Sequence, residues 1–353
     1  MTTSEAIPGR IEIDAPGIPG LTFRHATVGD WDAIAGVVTR ARLADGVDEV
    51  RSGKSLRGEY EPLDAFELAR DVVVAEIDGA PVAVACGYRA VREGVLILET
   101  WGSVVPEWRR QGIGTAIWRW NRDRLAREAE LDPRRGPREL RSFALDIEPG
   151  ELALLAAQGY VPVRYGFEMR RFLTGELPVH PLPAGLELRP VTPDQHRAIW
   201  EADTEAFADH WGHREQTEGD FVARFEAPET DTALWTVAWD GDQVAGSVMT
   251  SIFHEENEQL GVRRGWLEHV SVRRPWRGRG LAKALCADAF RVLREAGMTE
   301  AWLGVDGANP TGALQLYEGL GFTAGRTWKA FGRPLDRPAP GGWTPGATDE
   351  SGA

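Results

Sequence analysis

One short pattern occurs twice in the chain, each time between a strand-like run and a helix-like run. The first copy reads Glu-Trp-Arg-Arg-Gln-Gly-Ile-Gly over residues 107–114, and the second reads Pro-Trp-Arg-Gly-Arg-Gly-Leu-Ala over residues 275–282. An alternating apolar run, residues 266–272, precedes the second copy, and a helical run, residues 281–296, follows it and ends at Gly297. This succession of strand, glycine-rich turn and helix predicts an α/β protein with a mixed sheet.

The sequence around the pattern is also duplicated. A stretch with three prolines, residues 174–185, is typical of an extended linker, and similar sequences restart from Leu21 and from Leu186. Each repeat predicts the order β-α-hairpin-β-α-β-α-β, with hairpin turns at Asp78-Gly79 and Asp240-Gly241. The predicted organisation is an N-terminal tail (1–20), a first domain (21–173), the linker (174–185), a second domain (186–335) and a disordered tail (336–353).

Composition excludes several classes of function. The chain has 353 residues and a net charge of −14, which argues against nucleic-acid binding and against an anionic membrane surface. Its two cysteines, Cys86 and Cys286, are too few for a disulfide framework or a thiolate zinc site. With no signal-peptide pattern and no apolar run of 18 residues, we expect a cytoplasmic protein that is not inserted in a membrane.

The glycine pattern is suited to holding a phosphate group. The first N–H groups of a helix have no intrahelical partner, and the helix dipole favours an anion there. In the second copy, Gly280 and Ala282 let a pyrophosphate approach the backbone, Gly278 can adopt a positive φ, and Arg277 and Arg279 add charge. The first copy offers Arg109, Gly112 and Gly114. The structural alternative is a tight turn that enters a packed helix. Neither copy matches the dinucleotide or P-loop patterns.

The pattern resembles the cofactor motif of the GNAT superfamily of N-acetyltransferases, Arg/Gln-x-x-Gly-x-Gly/Ala. The stretch from Asn309 to Phe322, with Tyr317 between them, is similar to the second landmark of that superfamily. Two such units in one chain resemble the two-domain acetyltransferases that are like mycothiol synthase. The resemblance implies two tandem GNAT-like domains, each a mostly antiparallel sheet with flanking helices, and acetyl-CoA as the cofactor. It also implies that the backbone of Val270, Val272 and Leu281 contacts that cofactor.

Acetyl transfer to an amine needs a group that removes the amine proton and a group that protonates the leaving thiolate. The resemblance implies a gap between two strands beside Glu268, which is the expected base. The alternative is a strand carboxylate that faces solvent or pairs with an arginine. In the two-domain relatives the acidic residue lies two positions earlier, where this chain has Trp266. Residues two positions apart share a strand face, so Glu268 could take over that role. His269 is the reserve base, or a histidine packed on the sheet.

Tyr317 is the expected general acid, unless it only packs at the end of a helix. Asn309 is expected either to bond the cofactor or to cap the following helix. The oxyanion of the reaction is expected to be stabilised by a strand N–H near Val270. Cys286 falls inside the long helix, a poor position for a nucleophile, so direct attack by the amine is favoured.

The first repeat lacks these side chains. Thr100 corresponds to Glu268 and Leu155 corresponds to Tyr317, while Glu99 lies one position out of register. We therefore expect the first domain to be non-catalytic, although its motif could hold coenzyme A.

The segment Asp-His-Trp-Gly-His, residues 209–213, suggests a metal site, but no second cluster of ligands accompanies it, so no metal is expected. In the superfamily this region lines the acceptor side, so Trp211 with His210 or His213 is expected to bind substrate, or else to pack as an ordinary loop.

The sequence thus predicts an acetyl-CoA-dependent N-acetyltransferase that acts on the primary amine of a small molecule. The alternatives are a protein-amine acetyltransferase and a non-catalytic acyl-CoA sensor. No nucleic-acid or membrane partner is expected, and a monomer is compatible with the sequence.

Overall fold

The computed structural model describes residues 9–134, 136–309 and 312–335. It divides into two compact units. Unit 1 contains the residues up to Val163 together with those from Lys329 onward, and unit 2 is Arg164–Trp328. The predicted disordered tail (336–353) and the first eight residues of the predicted N-terminal tail lie outside the described residues.

Unit 1 is a sheet with helices packed on it. Its strands follow the order β1-β2-β3-β4-β5-β6, and the C-terminal part of β13 lies beside β6. From β1 to β6, neighbouring strands are antiparallel except β5 and β6, which are parallel. The elements are β1 (Arg10–Ile11), β2 (Leu21–His25), α1 (Trp31–Ala44), α2 (Gly53–Tyr60), α3 (Leu68–Asp71), β3 (Val72–Ile77), β4 (Ala80–Arg92), β5 (Val95–Val104), α4 (Ile113–Leu131), β6 (Arg138–Leu145) and α5 (Pro149–Ala157).

Unit 2 repeats this plan, with the strand order β13-β7-β12-β11-β10-β9-β8. Here β11 and β12 are the parallel pair. The elements are β7 (Val161–Phe172), β8 (Glu187–Leu188), α6 (His196–Phe207), α7 (Glu218–Phe225), β9 (Thr236–Asp240), β10 (Gln243–Ser251), α8 (His254–Leu260), β11 (Arg264–Val272), α9 (Leu281–Glu295), β12 (Glu300–Asp306), α10 (Ala313–Gly319) and β13 (Thr323–Pro334).

The long helix α9 organises the core of unit 2. Its apolar residues recur at helical spacing, so one face is buried against the sheet, with Leu285 and Phe290 fully enclosed. Leu267, Met169 and Leu303 on neighbouring strands complete this core. Gly280 precedes the helix with φ +85°, and Gly297 follows it with φ +85°, so a residue without a Cβ stands at each end.

The compact units do not coincide with the two sequence repeats. β7 is the last strand of the first repeat, yet its residues 166–172 pair antiparallel with β12 in unit 2. Conversely, β13 is the last strand of the second repeat, and its residues from Lys329 belong to unit 1. The predicted boundaries at residues 173 and 186 therefore mark the duplicated sequence and differ from the bounds of the compact units.

No helix among the described residues is both long enough and apolar enough to span a membrane.

Because β7 is part of the core of unit 2, Met169→Ala should destabilise that unit. Met169 is completely buried, so the truncation should cost about 2–5 kcal/mol through lost contacts and the cavity that remains. Phe172→Ala on the same strand is the control, because Phe172 is 54% exposed and its loss should cost about 1 kcal/mol or less. Urea unfolding measures both variants, and equal losses would contradict the buried position of β7.

Candidate active site

Strands β11 and β12 separate partway along their length. The parallel register joins only Arg264–Trp266 of β11 to residues 300–302 of β12. Beyond this point β11 continues beside β10, whereas β12 continues beside β7. An opening therefore lies alongside residues 267–272 of β11. This is the position of the gap between two strands that the GNAT resemblance implied beside Glu268.

The backbone of β11 points two N–H groups into this opening. Arg273 donates its N–H to the carbonyl of Ala245 on the β10 side, at 3.0 Å. In an antiparallel strand the N–H groups alternate between the two sides, so that of Ser271 also faces β10. The N–H groups of Val270 and Val272 then face the opposite side, which β12 has left. Both residues were predicted to act through their backbone.

A β-bulge lies in β11 at the opening. Val270 pairs with Val248 and His269 with Met249, but the next partner, Thr250, pairs with Leu267, which leaves Glu268 as the extra residue. Leu267 and Val270 both contact the core under α9, although they are three positions apart. In a regular strand they would face opposite sides. The bulge therefore turns Glu268 and His269 together toward the other side of the sheet, where α6 packs.

Of these two residues, His269 is anchored and Glu268 is exposed. The Nδ1 atom of His269 lies 2.8 Å from Oδ2 of Asp203, a buried residue of α6. Burial is the largest influence on Asp203 and raises its pKa, but the charge and hydrogen bond of His269, aided by Arg224 and Ser271, bring that pKa below its usual value. The Asp203 carboxylate is therefore ionised and holds the imidazole of His269 in one orientation.

Asp203 was not among the predicted site residues. The signal that could have found it is its place on the buried face of α6, beside Ile199, Ala202 and Ala206. An aspartate among apolar residues on a buried helix face requires a partner.

The second glycine pattern forms an open helix N-terminus. Gly278 has φ +74°, and Gly280 is the residue that precedes α9. A Cβ placed on Gly280 would meet no atom within 4 Å, so no other segment covers this glycine. The side chain of Leu281 is buried, so only its backbone faces the space in front of the helix, and Ala282 has a short side chain. The first-turn N–H groups have no partner within the helix, and such groups favour an anion.

The aromatic and the first arginine of the pattern hold the loop in place. Trp276 is buried and donates its indole N–H to Asp240 at 2.9 Å. Arg277 donates from Nε to the carbonyl of Val272 at 2.9 Å and from Nη2 to that of Ala206 at 3.0 Å. Its guanidinium thus ties the end of β11 to the end of α6. Arg279 reaches the carbonyl of Ala184 at 3.4 Å.

Tyr317 lies on α10 with its ring packed edge-on against Phe322, at 5.8 Å between ring centroids. Burial is the largest cause that raises the pKa of Tyr317 well above its ordinary value. The phenol therefore keeps its proton at any physiological pH.

Asn309 lies in the turn after β12 and is bonded through its N–H to the carbonyl of Asp306 at 3.2 Å. Gly312 precedes α10, so the helix is not capped by Asn309.

The segment after α6 lies near the end of β12. The guanidinium of Arg164 stands 5.6 Å from the ring of Trp211 and forms a two-point ion pair with Asp306, at 2.6 and 2.8 Å. His213 donates its N–H to the carbonyl of His210 at 3.1 Å. Burial, and then the charge of Arg277, lowers the pKa of His210. Trp211 is thus placed by β7 and β12.

The same segment does not form a metal centre. Asp209 is paired with Arg274, at 3.0 Å from its Nε, and with Arg277. Among the residues described, no group of three or more His, Cys, Asp or Glu side chains is arranged to hold a metal ion.

The first copy has the same backbone without these side chains. Arg109 bonds the carbonyls of Val104 and Ala41, both at 2.9 Å, as Arg277 does in the second copy. Gly112 precedes α4 with φ +89°, and Gly114 follows in the first turn. However, the register of β4 with β5 runs without a shift from Ala83 to Arg92, so there is no bulge on β5.

At the aligned positions of the first copy, Thr100 and Leu155 are both buried. The carboxylate of Glu99 accepts a hydrogen bond from Tyr88 at 2.6 Å and pairs with Arg92 at 3.0 Å.

Comparisons of the sequence with family profiles and with curated proteins both find acetyltransferases. The sequence profile described as the acetyltransferase (GNAT) family matches residues 196–322. Curated relatives of the chain are named mycothiol acetyltransferase. The one from Geodermatophilus obscurus is 31% identical over 296 residues, 82% of this chain and 90% of the relative. The one from Salinispora arenicola is 33% identical over 306 residues, 83% of this chain and 91% of the relative.

Solved structures resemble the whole chain. A GCN5-related N-acetyltransferase from Sphaerobacter thermophilus has a TM-score of 0.67 at 26% identity and covers 90% of this chain and 96% of its own. A tandem GNAT protein from the clavulanic acid biosynthesis pathway has a TM-score of 0.66 at 20% identity, with 90% of this chain and 99% of its own covered. The predicted fold class, a tandem GNAT-like arrangement of mostly antiparallel sheets with flanking helices, is confirmed.

The open helix N-terminus predicts that Gly280→Glu abolishes binding of coenzyme A, because a bulky negative side chain would fill the space for the pyrophosphate. Gly297→Glu is the matched control. Gly297 has the same φ of +85° and equally open surroundings, but it lies at the other end of α9. Calorimetric titration should show no heat of binding for Gly280→Glu and normal binding for Gly297→Glu. Unchanged affinity in a folded Gly280→Glu protein would mean that the motif is only a turn.

Proposed function

The chain belongs to the GNAT family of acetyltransferases, and on this premise we propose that unit 2 acetylates the primary amine of a small molecule by direct attack within a ternary complex. The chain is an acyltransferase, and its cofactor is acetyl-CoA. The observation that carries the proposal is the pair of N–H groups, of Val270 and Val272, which face the opening between β11 and β12 and lead to the free N-terminus of α9.

In this proposal the cofactor follows β11. Its pyrophosphate binds the N–H groups at Gly280, Leu281 and Ala282, where the helix dipole stabilises negative charge. The pantetheine arm extends along the opening and pairs with the N–H of Val272, and Asn309 bonds the arm from the turn after β12. Arg277 and Arg279 supply positive charge beside the pyrophosphate.

The thioester carbonyl then lies at the N–H of Val270. This N–H stabilises the oxygen as it becomes negative during attack, since a fixed donor at the developing charge lowers the barrier. The amine nitrogen bonds to the carbonyl carbon, the carbon–sulfur bond breaks, the amine loses one proton and the thiolate gains one. The products are an amide and free coenzyme A.

Direct attack agrees with the state of Cys286. Burial raises the pKa of this thiol to about 12, so it stays protonated and is a poor nucleophile. Its complete burial in α9 also keeps it away from a substrate.

Glu268 is the proposed base. The bulge leaves this residue exposed beside the opening, on the side of the sheet that it shares with His269. His269, oriented by Asp203, is the second candidate for this role. Tyr317 is the proposed acid, because it stands at the tyrosine of the second GNAT landmark and its phenol is protonated.

The acceptor is proposed to bind beside Trp211 and His213. The ring of Trp211 offers an apolar surface, while Asp306 and Arg164 nearby offer a charged pair that a polar small molecule can contact. The relatives named mycothiol acetyltransferase support a small molecule as the acceptor class.

Release of free thiol from acetyl-CoA over a panel of amines tests this function. Turnover on small amines supports it, and turnover only on peptide or protein amines would favour a protein acetyltransferase. Binding of acetyl-CoA without turnover on any amine would favour a sensor instead.

Glu268→Gln should lower kcat by roughly 10²–10⁴ and remove the acidic limb of the pH–rate profile, because the amide cannot accept the proton. Affinity for acetyl-CoA should stay normal, since Glu268 does not contact the cofactor in this proposal. His269→Gln is the companion variant and should keep the acidic limb. The reverse pattern, with the limb lost only in His269→Gln, would assign the proton transfer to His269.

Tyr317→Phe should lower kcat by roughly 10²–10⁴ while the affinity for acetyl-CoA is kept, because the ring still packs on Phe322 but the proton donor is gone. Tyr160→Phe in unit 1 is the control, since it removes the hydroxyl of another buried tyrosine that belongs to the first repeat and has no part in the proposed site. Steady-state rates of thiol release measure both. Equal rates in the two variants would exclude Tyr317 as the acid.

A further inference from the structure

The two glycine patterns differ in what stands in front of their helices. A Cβ placed on Gly112 would lie 2.6 Å from Cγ of Pro16, closer than real Cβ contacts, whereas a Cβ on Gly280 would meet nothing within 4 Å. The backbones are alike, with φ +89° at Gly112 and +85° at Gly280. The difference therefore comes from the residue that covers the first pattern.

Pro16 belongs to a segment that is fixed on unit 1. The preceding residues alternate between exposed and half-buried, and Ile11, Ile13, Ala15 and Ile18 pack against the core of unit 1. Two turn hydrogen bonds follow, from the Ile18 N–H to the Pro16 carbonyl at 2.8 Å and from the Leu21 N–H to the Ile18 carbonyl at 3.1 Å. Pro16 is held against Gly112 by contacts on both sides of it in the sequence.

The corresponding segment of the second repeat takes a different position. The residues before β8 also pack on the core, through Leu177, Leu182 and Leu186, and the Ala184 carbonyl accepts a hydrogen bond from Arg279. This segment nevertheless leaves Gly280 uncovered. The same region of each repeat thus runs close to its glycine pattern, but only the first segment covers the glycine.

We infer that residues 14–18 occupy the place in front of α4 that a cofactor pyrophosphate would need, so that the first glycine pattern is closed by the chain itself. A phosphate oxygen must come within about 3 Å of the helix N–H groups to bond them, and the Pro16 ring fills that space. The ring offers no hydrogen-bond donor, and the exposed Asp14, two residues earlier in the sequence, makes the segment negatively charged.

It follows that the chain binds one acetyl-CoA, in unit 2. This number rests on the proposed function, whereas the closure of the first pattern does not. In unit 1 the segment takes the place that the cofactor takes in unit 2. It covers the start of α4, and its apolar side chains pack on the core.

A mutant cycle without any ligand tests the closure. Gly112→Ala and Gly280→Ala introduce the same left-handed strain, which should lower the thermal midpoint of the full chain by roughly 2–4 °C. Gly112→Ala should lower the thermal midpoint by at least about twice as much as Gly280→Ala, because its methyl group also collides with Pro16. In a Pro16→Gly background the extra cost should disappear. Pro19→Gly, in the same segment, is the control that should leave the extra cost in place.

Equal shifts for Gly112→Ala and Gly280→Ala, or an extra cost that persists with Pro16→Gly, would overturn the closure. Calorimetric titration then tests its consequence: acetyl-CoA should bind the wild-type chain at one site and the Gly280→Glu variant at none. Binding at two sites in the wild-type chain would also overturn the inference. A wild-type chain that binds no acetyl-CoA would contradict the proposed function, and the mutant cycle would still decide whether Pro16 closes the first pattern.

Discussion

The separation of β11 from β12 is the constraint on which the rest of the site depends. A strand in the middle of a sheet normally pairs on both sides, and an unpaired backbone N–H away from water is costly. Trp266 and Trp302 form the last pair in register, with ring centroids 5.6 Å apart, and beyond them the two strands take different partners. The N–H groups of Val270 and Val272 then need partners from outside the sheet, and a ligand with carbonyl groups along its length can supply them.

The arginine of each glycine pattern explains how both repeats keep the same loop backbone although the side chains beside it differ. Arg109 and Arg277 each tie the end of a strand to the end of the first helix of their repeat, so the loop is fixed by contacts that require no ligand. The side chains at the opening are under no such constraint. Where the second repeat has His269 and Asp203, the aligned residues of the first are Trp101 and Val38, which cannot exchange protons.

Sequence reasoning predicted the features that depend on local patterns. The helix predicted over residues 281–296 is found at Leu281–Glu295, and the strand before the second glycine pattern and the positive φ of Gly278 are also found. The bulge at Glu268 could not be predicted, because an added residue in a strand depends on its partner strand. The Asp203–His269 pair joins residues 66 positions apart, and the contact of Pro16 with Gly112 likewise depends on tertiary packing.

The exchange of closing strands has a consequence for how the chain can be divided. A cut in the linker would leave the N-terminal fragment with β7, whose partner β12 is on the other fragment, and the C-terminal fragment with the end of β13, which lies beside β6. Each fragment would expose a strand edge that the intact protein keeps paired, and exposed edges promote association. The two halves are thus expected to behave as complementing fragments that must meet to complete their sheets, even though the linker looks like the natural place to separate two domains.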